Sequence, residues 1–348
     1  MKYRTLPRSD LEVSVIGLGT MTWGEQNTQD EAFDQMDYAL EQGVTLFDTA
    51  EMYPVPPRAE TYSRTETIIG NWFADRGAAA RDKVVLATKV AGPSVHAKHI
   101  RDGQSRLNRK NIEAALEESL RRLQTDRVDL YQLHWPDRSV PLFGTRDYSH
   151  PKHDESVPIE ETLEALAAIR DSGKVRHFGL SNETPWGAMR FLRLAEERGW
   201  PRLVTIQNAY NLLNRTFDAG LSEICHREDL RLLAYSPLAF GKLSGKYLDG
   251  ARPEGARITV WDRFSRYEGP NADAAVAGYV EIAREAGLDP AQMALAFINR
   301  RKYVASNLIG ATTMEQLRSN IASVDVDLSG EVRRRIDRVH SRFPNPCP

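Results

Sequence analysis

Short, nearly continuous apolar runs alternate along the chain with longer stretches in which apolar residues recur every three or four positions. The runs are VIGLGT (15–20), TLFDTA (45–50), VVLATKV (84–90), VDLYQLH (128–134), VRHFGLSN (175–182), LVTIQNA (203–209), LRLLAYS (230–236) and SNLIGAT (306–312). Runs of this length and β-branched content predict strands buried on both faces. The stretches between them predict amphipathic helices, as in the stripe of Ile112, Leu116, Leu120 and Leu123. Asp289-Pro290-Ala291-Gln292 predicts a helix start with a cap, a proline at the first helical position and a reciprocal glutamine, and Thr184-Pro185 begins another. YRTL followed by LEVSVIGLG predicts an opening hairpin, and the stripe of Val332, Ile336 and Val339 predicts a last helix lying over the rest.

Eight buried strands, each followed by a helix, suit an all-parallel sheet closed into a (β/α)8 TIM barrel, here one α/β domain over residues 1–348. An open doubly wound sheet is the alternative. Its dinucleotide fingerprint is missing, because Gly17 and Gly19 are followed by Thr22 where a third glycine belongs. Two long stretches break the rhythm, residues 136–158 after the fourth strand and 242–271 after the seventh. Both follow strand C-termini, where a barrel keeps its active-site loops, and so predict a rim around a site.

Composition narrows the classes. The 348 residues are 41% hydrophobic and 27% charged, as in an ordinary soluble protein, and the net charge of -2 offers no basic face for nucleic acid. Cys225 and Cys347 are the two cysteines, too far apart for a zinc or CxxC spacing, which fits a reducing cytoplasm. The polar start MKYRTLPRSD predicts no export signal, and no run reaches the length of a membrane span. His150 and His153 are three apart but in a loop with Pro151 and without a third ligand, so they predict solvated side chains and no metal. Oligomeric state leaves no mark on the sequence.

The predicted strand ends gather Asp48 and Tyr53, Lys89, His134, Ser181-Asn182, Gln207-Asn208, Tyr235-Ser236 and Gly310-Ala311-Thr312. Asp, Tyr, Lys and His together suit proton donation by tyrosine. A phenol with a reference pKa of ~10 is a poor acid near neutrality, and a nearby ammonium is expected to lower that value. Lys89 is expected to supply the ammonium, and Asp48 to pair with it and keep it charged. His134 is expected to hydrogen-bond and polarise a substrate carbonyl.

Taken in order, GLGTMTWG, FDTAEMYPVPP, LATKV, YQLHWPD, GLSNET, QNAYNLLNR, AYSPLAFGKLSGKY and IGATTMEQLRSNI resemble the motifs of the aldo-keto reductases over essentially the whole chain. The resemblance implies a (β/α)8 fold, an extended NADPH/NADP+ bound without a Rossmann domain, and hydride transfer to a small-molecule aldehyde or ketone. It implies Tyr53 as general acid, tuned by Lys89 and Asp48, with His134 at the carbonyl. It further implies that Ser181, Asn182 and Gln207 hold the nicotinamide amide and that Tyr235 stacks on its ring, with Thr20, Met21 and Asp48 bordering the cofactor. The segment Ser236, Pro237, Leu238, Gly241, Lys242 and Gly245 would cover the pyrophosphate, with Lys246 and Arg257 adding charge. Gly310, Thr312, Gln316 and Asn320 would grip the adenosine 2'-phosphate. Many relatives carry Arg or Lys in that last segment; here Thr313 and Gln316 are neutral, and spacing does not settle where Arg318 points. Trp23, Trp135, Trp261 and Phe264 suggest a partly apolar substrate pocket around Tyr53 and His134. Two other readings keep the barrel: a nucleotide-binding regulatory module with little turnover, and an aldolase with Lys89 as Schiff-base nucleophile, which a neighbouring Asp48 opposes.

Overall fold

In the computed structural model, which describes residues 1–94 and 97–348, every predicted strand forms. Two short strands, β1 (Tyr3–Thr5) and β2 (Glu12–Ser14), make the antiparallel hairpin. The barrel strands are β3 (Ile16–Gly19), β4 (Leu46–Asp48), β5 (Val85–Val90), β6 (Val128–Leu133), β7 (Val175–Ser181), β8 (Leu203–Ala209), β9 (Arg231–Tyr235) and β10 (Val304–Ile309). Each pairs in parallel with the next and β10 closes on β3, so the chain is a closed (β/α)8 barrel with an added hairpin. The eighth run is shifted: its strand starts at Val304, and Gly310-Ala311-Thr312 belongs to the turn beyond it.

The helices stand where the periodicity placed them. Arg109–Leu123 buries Ile112, Leu116, Leu120 and Leu123 against the sheet. Thr184 and Asp289 cap their helices by accepting from the backbone N–H of Gly187 and Gln292. Gln292 does not reach back to its cap, however; its amide donates to the carbonyl of Ser319 at 3.0 Å. The last helix, Gly330–Arg342, buries Val332 and Ile336, while Val339 packs against Gly278 of the helix Ala272–Glu285. None of the helices among the described residues is long and apolar enough to cross a membrane.

The hairpin explains how the barrel's lower end is sealed. Leu6, Leu11 and Val13 share one buried cluster with Leu46, Ala87, Leu130, Val204, Leu233, Ala305 and Leu308 from inside the barrel. Burying each such side chain contributes roughly 1.5–3 kcal/mol, so the plug stabilises the barrel as it closes it. At the other end the interior turns polar. Gly179 on β7 makes room there: a Cβ would lie 2.3 Å from Thr205 Oγ1 and 3.2 Å from Cγ of Gln132, so only glycine lets the Gln132 side chain cross the barrel mouth.

Candidate active site

Four strand ends bring their polar residues to one point. Asp48 ends β4, Lys89 is the penultimate residue of β5, and in the barrel register Lys89 lies opposite Gln132 of β6 and Gln132 opposite Gly179. Asp48, Lys89, Gln132 and Gln207 are each at most 3% exposed. A carboxylate so buried needs donors on both oxygens, and it has them. Its Oδ2 accepts from Lys89 Nζ at 2.7 Å, and its Oδ1 from the amides of Gln132 (3.0 Å) and Gln207 (2.8 Å). Gln207 also donates to Gln132 Oε1 at 3.0 Å, which leaves its own Oε1 as a free acceptor.

Lys89 Nζ has three acceptors: Asp48, the carbonyl of Thr49 at 2.8 Å and the hydroxyl of Tyr53 at 3.5 Å. The ammonium also lies 4.8 Å from the centre of the Tyr53 ring, and the His134 ring meets that ring edge-on at 5.7 Å. So the structure brings Asp48, Tyr53, Lys89 and His134 together. Their titration differs from the expectation. Burial first, then Asp48 and Tyr235, hold the Tyr53 phenol well above its ordinary value, against a smaller pull from Arg257. Asp48 works at Tyr53 against the expected pull of an ammonium, and desolvation is the largest cause of the rise. Lys89 is itself lowered, because burial outweighs Asp48. His134 is pushed well below its ordinary value by burial and by Lys89. Tyr53 is therefore a neutral O–H donor and His134 a neutral imidazole with one N–H to give.

Around this centre a second set of side chains forms one network. Ser181 Oγ donates to the carbonyl of Gln207 at 2.9 Å, and Asn182, at φ +52°, donates to the carbonyl of His134 at 2.8 Å. The hydroxyl of Tyr235 donates to Asn182 Oδ1 at 2.6 Å. Thr20 Oγ1 holds the carbonyl of Asp48 at 2.9 Å, and Met21 packs with Tyr247, Ile258 and Phe264 from the loop after β9. That loop turns at Ser236 and Gly241, both at positive φ, past buried Pro237 and half-buried Leu238, and Gly245 at φ +81° approaches Val280. Burial first, and then Arg257, lowers the Lys246 ammonium, and neither Lys246 nor Arg257 has a carboxylate partner among the described residues. At the far end Thr312 gives its N–H and hydroxyl to Gln316 Oε1 (3.1 and 3.2 Å), and Asn320 donates to the carbonyl of Gly310 at 3.2 Å.

Two expectations change, for Lys242 and Trp23, and the direction left open for Arg318 is now visible. Lys242 does not face the mouth; it is buried and paired at 2.6 Å with Asp273 of the following helix. Arg318 lies over the Tyr38 ring at 5.2 Å, on the side of the helix Gln29–Glu41, so it adds no charge at Thr312. Trp23 lines no pocket. Its ring is wholly buried in the main core and its Nε1 donates to Gln35 at 3.1 Å, while Met21 from the same turn faces the aromatic loop. Trp23→Ala is accordingly expected to cost about 3–5 kcal/mol of stability and to leave the substrate profile of the folded fraction unchanged, as denaturation and a carbonyl panel would register. Trp135 is buried with its Nε1 on the carbonyl of Pro93 at 2.8 Å and its ring 4.7 Å from His134; Phe264 is buried, and Trp261 half-buried beside it.

Sequence reading missed Gln132, although a polar residue within VDLYQL, two before His134 and so on the same strand face, is a signal for it. It also missed Glu51, wholly buried, which accepts from Ala91 N–H (2.6 Å) and bidentately from Arg101 (2.7 and 2.8 Å), and so pins the segment between Asp48 and Tyr53. A surface depression of about 830 Å³ lies outside the barrel wall, lined by Arg138, Trp186 and Met189 among others; it reaches Trp135 and Ser181 but not Asp48, Tyr53 or Lys89.

Known proteins resemble the chain along most of its length. The sequence profile of the Aldo/keto reductase family matches residues 15–341. The protein tas of Escherichia coli (strain K12) is 54% identical over 349 aligned positions that span the whole of both chains. An aldo-keto reductase of Babesia bovis is 39% identical over 76% of this chain and 98% of its own. The uncharacterized oxidoreductase YrpG of Bacillus subtilis (strain 168) is 35% identical over 99% of this chain and 97% of its own. With a barrel closed as the family requires and the match running through nearly all of it, this chain belongs to the aldo/keto reductase family.

Proposed function

We propose that the chain, working as one domain, reduces the carbonyl group of small aldehydes or ketones with NADPH. The observation that carries the reading is the buried Asp48–Lys89 pair reaching Tyr53 beside a neutral His134 at the C-terminal end of the barrel. When bound, the cofactor supplies the hydride that the carbonyl carbon accepts. Tyr53 gives its proton to the carbonyl oxygen, and Lys89 stabilises the phenolate left behind until solvent returns the proton. Asp48, locked by Gln132 and Gln207, holds Lys89 in place. The His134 N–H orients the carbonyl and withdraws charge from its oxygen. Trp135 and Met21 bound the apolar side of the pocket.

The residues present fit such a cofactor. The free Oε1 of Gln207, with Ser181 and Asn182, suits a carboxamide, and Tyr235 suits a ring face. Lys246 and Arg257 are cations without acids among the described residues and stand beside a glycine turn, as a pyrophosphate needs. Thr312, Gln316 and Asn320 suit the 2'-phosphate through neutral donors only. Gln316→Arg is therefore expected to tighten NADPH about tenfold relative to NADH, read from dissociation constants of both by fluorescence quenching. Cys225 and Cys347, buried and unbonded, suit a reducing compartment, which we take to be the cytoplasm.

The test is NADPH consumption with a panel of aldehydes and ketones, alongside NADPH affinity. Turnover supports the reductase. Tight NADPH binding with no turnover on any carbonyl would replace it with a nucleotide-binding regulatory module. Borohydride trapping with a carbonyl compound is expected to leave Lys89 unmodified, since all three of its N–H donors are committed.

A further inference from the structure

Arginines removed from water in this barrel are matched to acids: Arg81 to Asp129, Arg101 to Glu51, Arg122 to Glu66 and Arg138 to Glu183. Arg4, which has no acid, donates instead to the backbone carbonyls of Asn299, Arg301 and Val304. Of the arginines in the loop after β9 that are not exposed, two have neither kind of partner among the described residues, Arg257 and Arg266. The first falls to the cofactor's pyrophosphate in the reading above. The second is assigned to nothing.

Arg266 is half-buried. Its Nη1 donates to the Tyr235 hydroxyl at 3.1 Å, its guanidinium lies over the rings of Tyr235 (5.9 Å) and Tyr267 (5.5 Å), and its Nε is buried with no hydrogen-bond partner. One neutral hydrogen bond and two ring contacts leave a guanidinium with five N–H donors without an acidic partner among the described residues. An anion is what the group lacks.

Its position says where that anion comes from. The Tyr235 hydroxyl that Arg266 holds donates to Asn182, and Asn182 donates to the carbonyl of His134, so the guanidinium stands two side chains from the residue that meets the substrate carbonyl. A Cβ on Gly144 would lie 3.3 Å from Arg266 Cγ, which puts the arginine between the two long loops that form the rim. A planar guanidinium with N–H donors to spare can take a carboxylate through charge-assisted hydrogen bonds. We propose that Arg266 is a substrate-recognition residue and that the preferred substrates of this chain are aldehydes or ketones that also carry a carboxylate. This rests on the reductase reading and adds the substrate class to it.

The test compares 4-carboxybenzaldehyde with its methyl ester for the wild type, Arg266→Met and Arg266→Lys, and measures benzoate against benzamide binding by calorimetry with NADP+ present. The wild type is expected to favour the acid over the ester by about 10–100-fold in kcat/KM, the worth of a charged hydrogen-bonded contact. Arg266→Met is expected to abolish that ratio through KM for the acid while the ester is reduced as before, and Arg266→Lys to restore part of it. Benzoate affinity is expected to fall in parallel, with benzamide unmoved. Equal reduction of acid and ester by the wild type overturns the inference and leaves the reductase intact. So does an Arg266→Met variant that slows both alike, which would make Arg266 a support for Tyr235 and nothing more. Should neither aldehyde be reduced, the reductase reading is left to the wider carbonyl panel and the calorimetry decides: benzoate held no better than benzamide overturns the carboxylate site, and benzoate held through Arg266 sustains it.

Discussion

Replacing Tyr53 by phenylalanine is expected to lower kcat for carbonyl reduction by about 10²–10⁴-fold, the range for losing a positioned general acid. NADPH affinity is expected to stay within about threefold of the wild type, because the change removes one oxygen and no packing. The ring keeps its edge contact with His134 and its place beside the Lys89 ammonium. The pH dependence separates this role from a structural one. Since burial and Asp48 hold the phenol above its ordinary value, Tyr53 stays protonated through neutrality, and kcat/KM for reduction is expected to decline only above about pH 10. His134 is held below its ordinary value and stays neutral across the same span, so it adds no acid limb near pH 6.5. Stability follows the same sign. A tyrosine whose folded pKa is raised contributes stability that is complete below about pH 10 and is lost as pH climbs through the folded value, so Tyr53→Phe is expected to be the less alkali-sensitive protein. A variant with normal turnover would remove Tyr53 from the chemistry.

How much of this could be read from the sequence depends on what burial does. The barrel strands were legible because both faces are covered, which makes VVLATKV or LVTIQNA apolar without alternation, and the residues after them inherit the mouth. Asp48 and Lys89 were legible for the same reason, since a charge at the end of a buried strand must have a partner nearby, and His134 because it directly follows such a strand. Side-chain direction in turns was not. Trp23 follows a turn in which its N–H bonds back to the carbonyl of Thr20, and that turn sends the indole inward to Gln35. Lys242 follows Phe240 and Gly241, both at positive φ, and the kink carries it to Asp273, away from the motif it belongs to by sequence. Glu51 and Arg101 are 50 positions apart, so no local pattern could join them. The direction of the Tyr53 shift needed the desolvation that only the folded barrel supplies.

Lys89→Met is the sharper test of the centre, because it sets stability against chemistry. The ammonium is wholly buried, and without it Asp48 keeps only the amides of Gln132 and Gln207, two neutral donors for a full charge at 2% exposure. Breaking one side of a buried pair typically costs about 3–5 kcal/mol, so chemical denaturation is expected to register a loss of that order. Activity is expected to fall at least as far as in Tyr53→Phe, since nothing is left to stabilise the phenolate. The double variant Lys89→Met with Asp48→Asn decides what the pair is for. Asparagine nearly keeps the shape of Asp48 and removes the stranded charge, so a large part of the lost stability is expected to return, well beyond the sum of the single effects. Turnover is not expected to return with it, because in the proposed mechanism the carboxylate acts through the lysine. Recovery of both together would mean that the pair merely holds the barrel mouth in shape and that Tyr53 gives up its proton without an ammonium beside it.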